Sequence, residues 1–153
     1  MTLPKEVISA AVNACAAVYP NENDYIVDRA IPNYTILAIE GTNETTDWVT
    51  NLKFLFMTDD THRGFKSNAM RTLTELVLGY EALNKERKLV LAGHSLGGAT
   101  ATVVADLLLP SNSNISLVTA GSPRPGGRGL KKRLSGLEHY RFVHGDDVVP
   151  KTP

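Results

Sequence analysis

The chain has 153 residues, 42% hydrophobic and 21% charged, with 16 Lys plus Arg against 16 Asp plus Glu. That composition suits one globular domain and excludes a disordered chain, while a net charge of zero gives no electrostatic reason to bind nucleic acid or an anionic membrane surface. No stretch approaches the roughly 20 apolar residues of a bilayer span, and with Cys15 as the only cysteine no intramolecular disulfide can form.

Pro4 opens an apolar run from Val7 to Val18 whose spacing predicts an amphipathic first helix with Cys15 on its buried side. Asn13 interrupts the run and Glu6 offsets Lys5, so the segment reads as a helix and makes no convincing signal peptide. Tyr25 to Ala30 and Tyr34 to Glu40 read as strands around a Pro32-Asn33 turn, and Phe54 to Met57 as a short edge strand. From Phe65 onward, Ala69, Leu73, Leu76, Val77, Tyr80 and Leu83 recur at helical spacing. A strand from Leu89 to Ala92 follows, then a helix lined by Leu96, Ala99, Val103, Val104, Leu107 and Leu108, which Pro110 ends. Ile115 to Ala120 is a strand, Leu130 to Leu134 a short helix and Tyr140 to Val143 a last strand. Strands alternating with helices predict a single α/β domain over residues 1–153, its mostly parallel sheet flanked by helices on both faces. Ligands of such sheets bind outside the carboxyl ends of the strands.

Gly93-His94-Ser95-Leu96-Gly97, followed by Gly98, stands where the strand ending near Ala92 must turn into the helix beginning at Leu96. Such a turn holds one serine in a strained conformation with its hydroxyl projecting from the sheet, and glycines flank it because strand and helix backbones pass close by. A serine hydroxyl attacks a carbonyl only if a base takes its proton. The oxyanion that forms needs N–H donors, and the Leu96 N–H, after the nucleophile and at a helix start, supplies one.

With Ala99 next, this motif resembles that of the class 3 (fungal-type) lipase family of the α/β-hydrolase superfamily. Four further segments match in order. Ala38-Ile39-Glu40-Gly41-Thr42, continuing to Asp47-Trp48 and Asn51-Leu52, resembles the oxyanion strand and the lid segment after it. His62-Arg63-Gly64-Phe65 resembles the opening of the next helix, Thr119-Ala120-Gly121-Ser122-Pro123-Arg124 the turn after the following strand, and His144-Gly145-Asp146-Asp147-Val148-Val149-Pro150 the Asp-x-Val-Pro motif. The resemblance implies an α/β-hydrolase core that hydrolyses carboxylic esters, lipids or other acyl esters, through an acyl-Ser95 intermediate, without metal or organic cofactor. It implies Thr42 as the second oxyanion donor, where an ordinary turn residue is the other reading, and Asp147 as the triad acid, with Asp146 its rival. It also implies that Glu44 to Asn51, carrying Asp47 and Trp48, forms a lid that opens at a lipid interface; a fixed helix with Trp48 in the core is the alternative.

The base is where this sequence departs from the family, whose triad histidine lies downstream of Asp-x-Val-Pro. Only Val148 to Pro153 follow here, and none is histidine. Nor does any of His62, His94, His139 and His144 match it: His94 belongs to the elbow and is expected to point into the scaffold, His62 matches a structural position, and the other two flank the last strand. Truncation at the C-terminus is the favoured explanation; the others are a partner chain that supplies the histidine, or a catalytically inactive domain that binds acyl ligands or a protein partner. A thioesterase or acyltransferase is a further alternative, because the elbow only forms the acyl-enzyme.

Overall fold

The computed structural model describes residues 2–20, 24–41, 57–58, 61–78 and 86–145. Its chain order is α1 (Lys5–Ala17), β1 (Tyr25–Asp28), β2 (Tyr34–Ile39), β3 (Met57–Thr58), β4 (Thr61–His62), α2 (Arg63–Leu78), β5 (Lys88–His94), α3 (Leu96–Leu108), β6 (Ile115–Ala120), α4 (Arg128–Arg133) and β7 (Glu138–Phe142). Five strands form one sheet in the order β1-β2-β5-β6-β7. β1 runs antiparallel to β2, and every other pair is parallel. The register sets Ile39 opposite Gly93 and Ala120 opposite both His94 and Phe142, so the parallel strands finish level, with Gly41, Ser95 and Gly121 just beyond their ends.

Side chains on a strand alternate between its faces, and here both faces are apolar because helices cover both. Leu37, Ile39, Leu89, Leu91 and Leu117 are buried with Phe65 and Ala69 of α2 and with Ala99, Val103 and Val104 of α3. Ile36, Ala38, Val90, Ala92 and Val118 are buried with Val7, Ala11, Ala14 and Cys15 of α1. The helix α1 begins behind Pro4, and its buried residues keep the i, i+4, i+7, i+8 spacing of one helical face. Burial pushes the Cys15 thiol up to about 11, so it is a packed apolar group and not a nucleophile.

Several boundaries differ from expectation for local reasons. β1 stops at Asp28 because its carboxylate accepts a hydrogen bond from the Ala30 N–H at 2.8 Å, which turns the chain. Arg87 then holds that turn, donating to the carbonyls of Arg29 at 3.0 Å, Ile31 at 2.9 Å and Tyr34 at 2.6 Å. Of the edge strand expected over residues 54–57, Met57 pairs with His62 in a two-stranded hairpin apart from the main sheet, and residues 54–56 lie outside the described residues. α2 begins two residues before Phe65, and residues 79–83 of its expected extent are likewise outside.

β7 begins two residues before Tyr140 because Glu138 is a junction at the amino edge of the sheet. Its carboxylate accepts from the Leu3 N–H at 2.6 Å, Lys88 Nζ at 2.8 Å, Ser116 Oγ at 2.8 Å and Tyr140 Oη at 2.9 Å. Burial alone would raise its pKa, but Lys88 and then the three neutral donors outweigh that and lower it to about 2. A carboxylate with a folded pKa below its unfolded value stabilises the fold fully above pH 4.5, and that contribution is lost as the pH falls toward 2. Urea denaturation should therefore show wild type exceeding E138Q by at most about 3 kcal/mol at pH 7, with the difference shrinking toward zero near pH 2.

Candidate active site

Ser95 joins β5 to α3 at φ 53° and ψ −125°, one of two non-glycine residues with positive φ among those described. Its N–H donates to the Ala120 carbonyl at 2.9 Å, which pins the turn to the end of β6, and its carbonyl accepts from the Gly98 N–H at 3.0 Å. The side chain makes no cap hydrogen bond to the helix it begins. A serine at a helix start ordinarily does make one, so this hydroxyl is not engaged as a cap. The residue is only 6% exposed, more covered than the projecting hydroxyl that the motif predicts.

The flanking glycines answer to backbone, not to chain flexibility. A Cβ on Gly93 would overlap the Gly97 carbonyl and stand 2.5 Å from the Gly98 nitrogen. On Gly97 it would overlap the Ile39 carbonyl oxygen and come within 2.8 Å of Glu40. On Gly98 it would meet the Ser122 Cβ at 2.7 Å. The elbow is thus gripped on one side by the end of β2 and on the other by the Gly121-Ser122-Pro123 turn after β6. That turn is fixed in its own right: Gly121 takes φ 55°, Ser122 Oγ donates to the Pro123 carbonyl at 3.0 Å, and Arg141 Nη2 donates to the Ser122 carbonyl at 2.8 Å.

Leu96 opens α3, so its N–H has no helical carbonyl ahead of it and lies at the positive end of the helix. A depression of about 130 Å³ lies beside it, lined by residues that include Asp24, Ile39, Glu40, Gly41 and Thr100. Thr42, Asp47, Trp48 and Asp147 lie outside the described residues. Gly41, which precedes Thr42, is buried at the end of β2.

The histidines are distributed differently from expectation. His94 does not point into the scaffold: it is exposed, and its Nδ1 lies 2.9 Å from Tyr19 Oη. Strand alternation explains this, since His94 is the last residue of β5, where the sheet ends and no helix covers the ring. His139 Nε2 lies 2.9 Å from Thr119 Oγ1, and desolvation, then the charge of Arg141, pushes its pKa down. His144 is exposed just after β7, and the backbone of His62 ends β4.

The family described as Lipase (class 3) matches residues 36–153. This chain belongs to the class 3 lipase family. Secreted mono- and diacylglycerol lipase 1 of Fusarium solani is 34% identical over 130 residues, covering 77% of this chain and 39% of that protein. Toxin TseL of Vibrio cholerae serotype O1 is 40% identical over 96 residues, covering 60% and 14%. A crystal structure of lipase from Rhizopus microsporus var. chinensis superposes with a TM-score of 0.76 at 21% identity, over all of this chain and 71% of that one. The fold is therefore that of the α/β hydrolases, and Ser95 stands at the strand-to-helix turn where that fold carries its nucleophile elbow. This class 3 lipase chain spans less than half the length of the curated relatives it matches.

Of the residues that hold the elbow, Tyr19 and Arg141 carry no sequence signal, because neither belongs to a local motif. Gly97→Ala should lower stability by about 3 kcal/mol in urea unfolding, because its neighbours are backbone atoms of β2. Gly136→Ala, whose Cβ would meet nothing within 4 Å, should change it by less than about 0.5 kcal/mol.

Proposed function

We propose that this chain carries the nucleophile and oxyanion side of a serine carboxylic ester hydrolase acting on lipid esters. The observation that carries this reading is the strained Ser95, which makes no cap bond to its helix and is followed by the Leu96 N–H at the helix start. Ser95 Oγ attacks the acyl carbonyl as its proton passes to a base, and the tetrahedral oxyanion is held by the Leu96 N–H and by Thr42. Collapse expels the alcohol and leaves an acyl-Ser95 ester, which water then hydrolyses by the same steps. Each oxyanion donor is worth about 3 kcal/mol of barrier. Asp147 orients the imidazole of the base. None of His62, His94, His139 and His144 follows Asp147 as the triad histidine does in the family resemblance, so we assign the base to none of the four. Similarity to the Fusarium mono- and diacylglycerol lipase supports glycerol esters of fatty acids as the substrate class.

Without its base a serine hydrolase loses about 10⁶-fold in rate, while the oxyanion hole still gives about 10³-fold over water. A fluorophosphonate probe should therefore label the 153-residue chain slowly, and millimolar imidazole, a free surrogate base, should accelerate formation of an adduct that mass spectrometry maps to Ser95. S95A should give no such adduct. A wild-type chain that never labels, with or without imidazole, would favour the inactive acyl-binding reading instead. Comparing p-nitrophenyl esters with acyl thioesters would separate hydrolase from thioesterase.

Low exposure of Ser95 supports a cover over the site, for which the segment with Asp47 and Trp48 is our candidate. Trp48 is the only tryptophan, so its emission reports on that segment alone. Adding short-chain phospholipid micelles should shift its maximum to the blue, and an unchanged spectrum would rule out a lid that opens onto lipid.

A further inference from the structure

The turn after α1 brings Tyr19 to the carboxyl edge of the sheet, 75 residues in sequence from the histidine it meets there. Its Oη lies 2.9 Å from His94 Nδ1, and the two rings meet edge to face, with centroids 6.1 Å apart and planes at 66°. The same hydroxyl closes on Gly41, where a Cβ would stand 2.7 Å from Tyr19 Oη and 2.7 Å from the His94 carbonyl oxygen. One phenol thus touches both strand ends that frame Ser95.

A phenol has one proton to donate and lone pairs with which to accept. A phenolic proton directed to His94 Nδ1 would leave His94 with its own proton on Nε2. Burial, followed by the nearby charge of Glu40, pushes the Tyr19 pKa up, so the hydroxyl stays a donor at neutral pH.

We propose that Tyr19 is a positioning residue for the Ser95 reaction: its hydroxyl fixes the separation between Gly41, which leads into the oxyanion candidate Thr42, and the His94-Ser95 turn, and holds His94 as the Nε2–H tautomer. This rests on the hydrolase reading given above. Oxyanion donors work only when held within about 0.5 Å of the position where charge develops. Gly41 and His94 belong to neighbouring strands whose ladder ends at Ile39 and Gly93. Beyond that pair, the Tyr19 hydroxyl lies against both segments.

The test is Y19F, which keeps the ring and removes the hydroxyl, in the 153-residue chain. Long-range ¹H–¹⁵N spectra of the imidazoles should show wild-type His94 protonated on Nε2 and Y19F as a mixture of tautomers. Imidazole-assisted fluorophosphonate labelling of Ser95 should slow at least 10-fold in Y19F, with a melting temperature within a few degrees of wild type. Equal labelling rates, or a His94 spectrum that ignores the substitution, would overturn the role of Tyr19 and leave the hydrolase reading standing. No Ser95 adduct in wild type would overturn both. If Y19F does not fold, the wild-type spectrum decides, because a native His94 protonated on Nδ1 contradicts the proposal.

Discussion

A serine at φ 53° and ψ −125° is disfavoured by roughly 1–3 kcal/mol, and this conformation persists only because its surroundings leave it nowhere else to go. The bond from the Ser95 N–H to the Ala120 carbonyl fixes the turn to β6, and contact between Gly97 and the Ile39 carbonyl fixes the helix start against β2. Any side chain at residues 93, 97 or 98 would push α3 away from the sheet. The position of the Leu96 N–H, and with it the proposed oxyanion site, follows from that close approach.

The strain sits at one end of a sheet whose other end is tightly bonded. At the amino edge Glu138 gathers Leu3, Lys88, Ser116 and Tyr140, and Arg87 closes the β1–β2 turn through three carbonyls. Between the edges lie two apolar layers with buried residues from α1, α2 and α3. The division of labour is physical: buried apolar area and charge-assisted bonds supply stability, which lets the carboxyl edge keep an unfavourable backbone and a serine that caps nothing. α3 itself is apolar nearly all round, as a helix packed between a sheet and a second helix requires.

Much of this was legible in the sequence because its cause is local. Ile115–Ala120 and the start of α3 at Leu96 were read correctly, since periodicity and the glycine motif act within a few residues. The elbow was legible for the same reason. The end of β1 was misjudged because a single Asp28 side chain overrode a favourable strand run, and Met57, the one described residue of the expected edge strand, finds its partner in a hairpin apart from the sheet. The direction of His94 depends on which face is left uncovered at the end of β5, which the motif does not encode. Tyr19 and Glu138 were invisible for a simpler reason: their bonds span 75 and 135 residues. Thr42, Asp47, Trp48 and Asp147 were read from family resemblance, and their positions lie outside the described residues.

The central claim is geometric: the alcohol of Ser95 stands beside an N–H able to receive developing negative charge. A crystal structure of the chain after reaction with a dialkyl p-nitrophenyl phosphate tests it most directly, because the phosphoryl oxygen mimics the oxyanion. The account predicts phosphorus bonded to Ser95 Oγ, with that oxygen about 2.7–3.1 Å from the Leu96 nitrogen. Phosphorus on another residue, or an oxygen turned away from Leu96 into solvent, would contradict it.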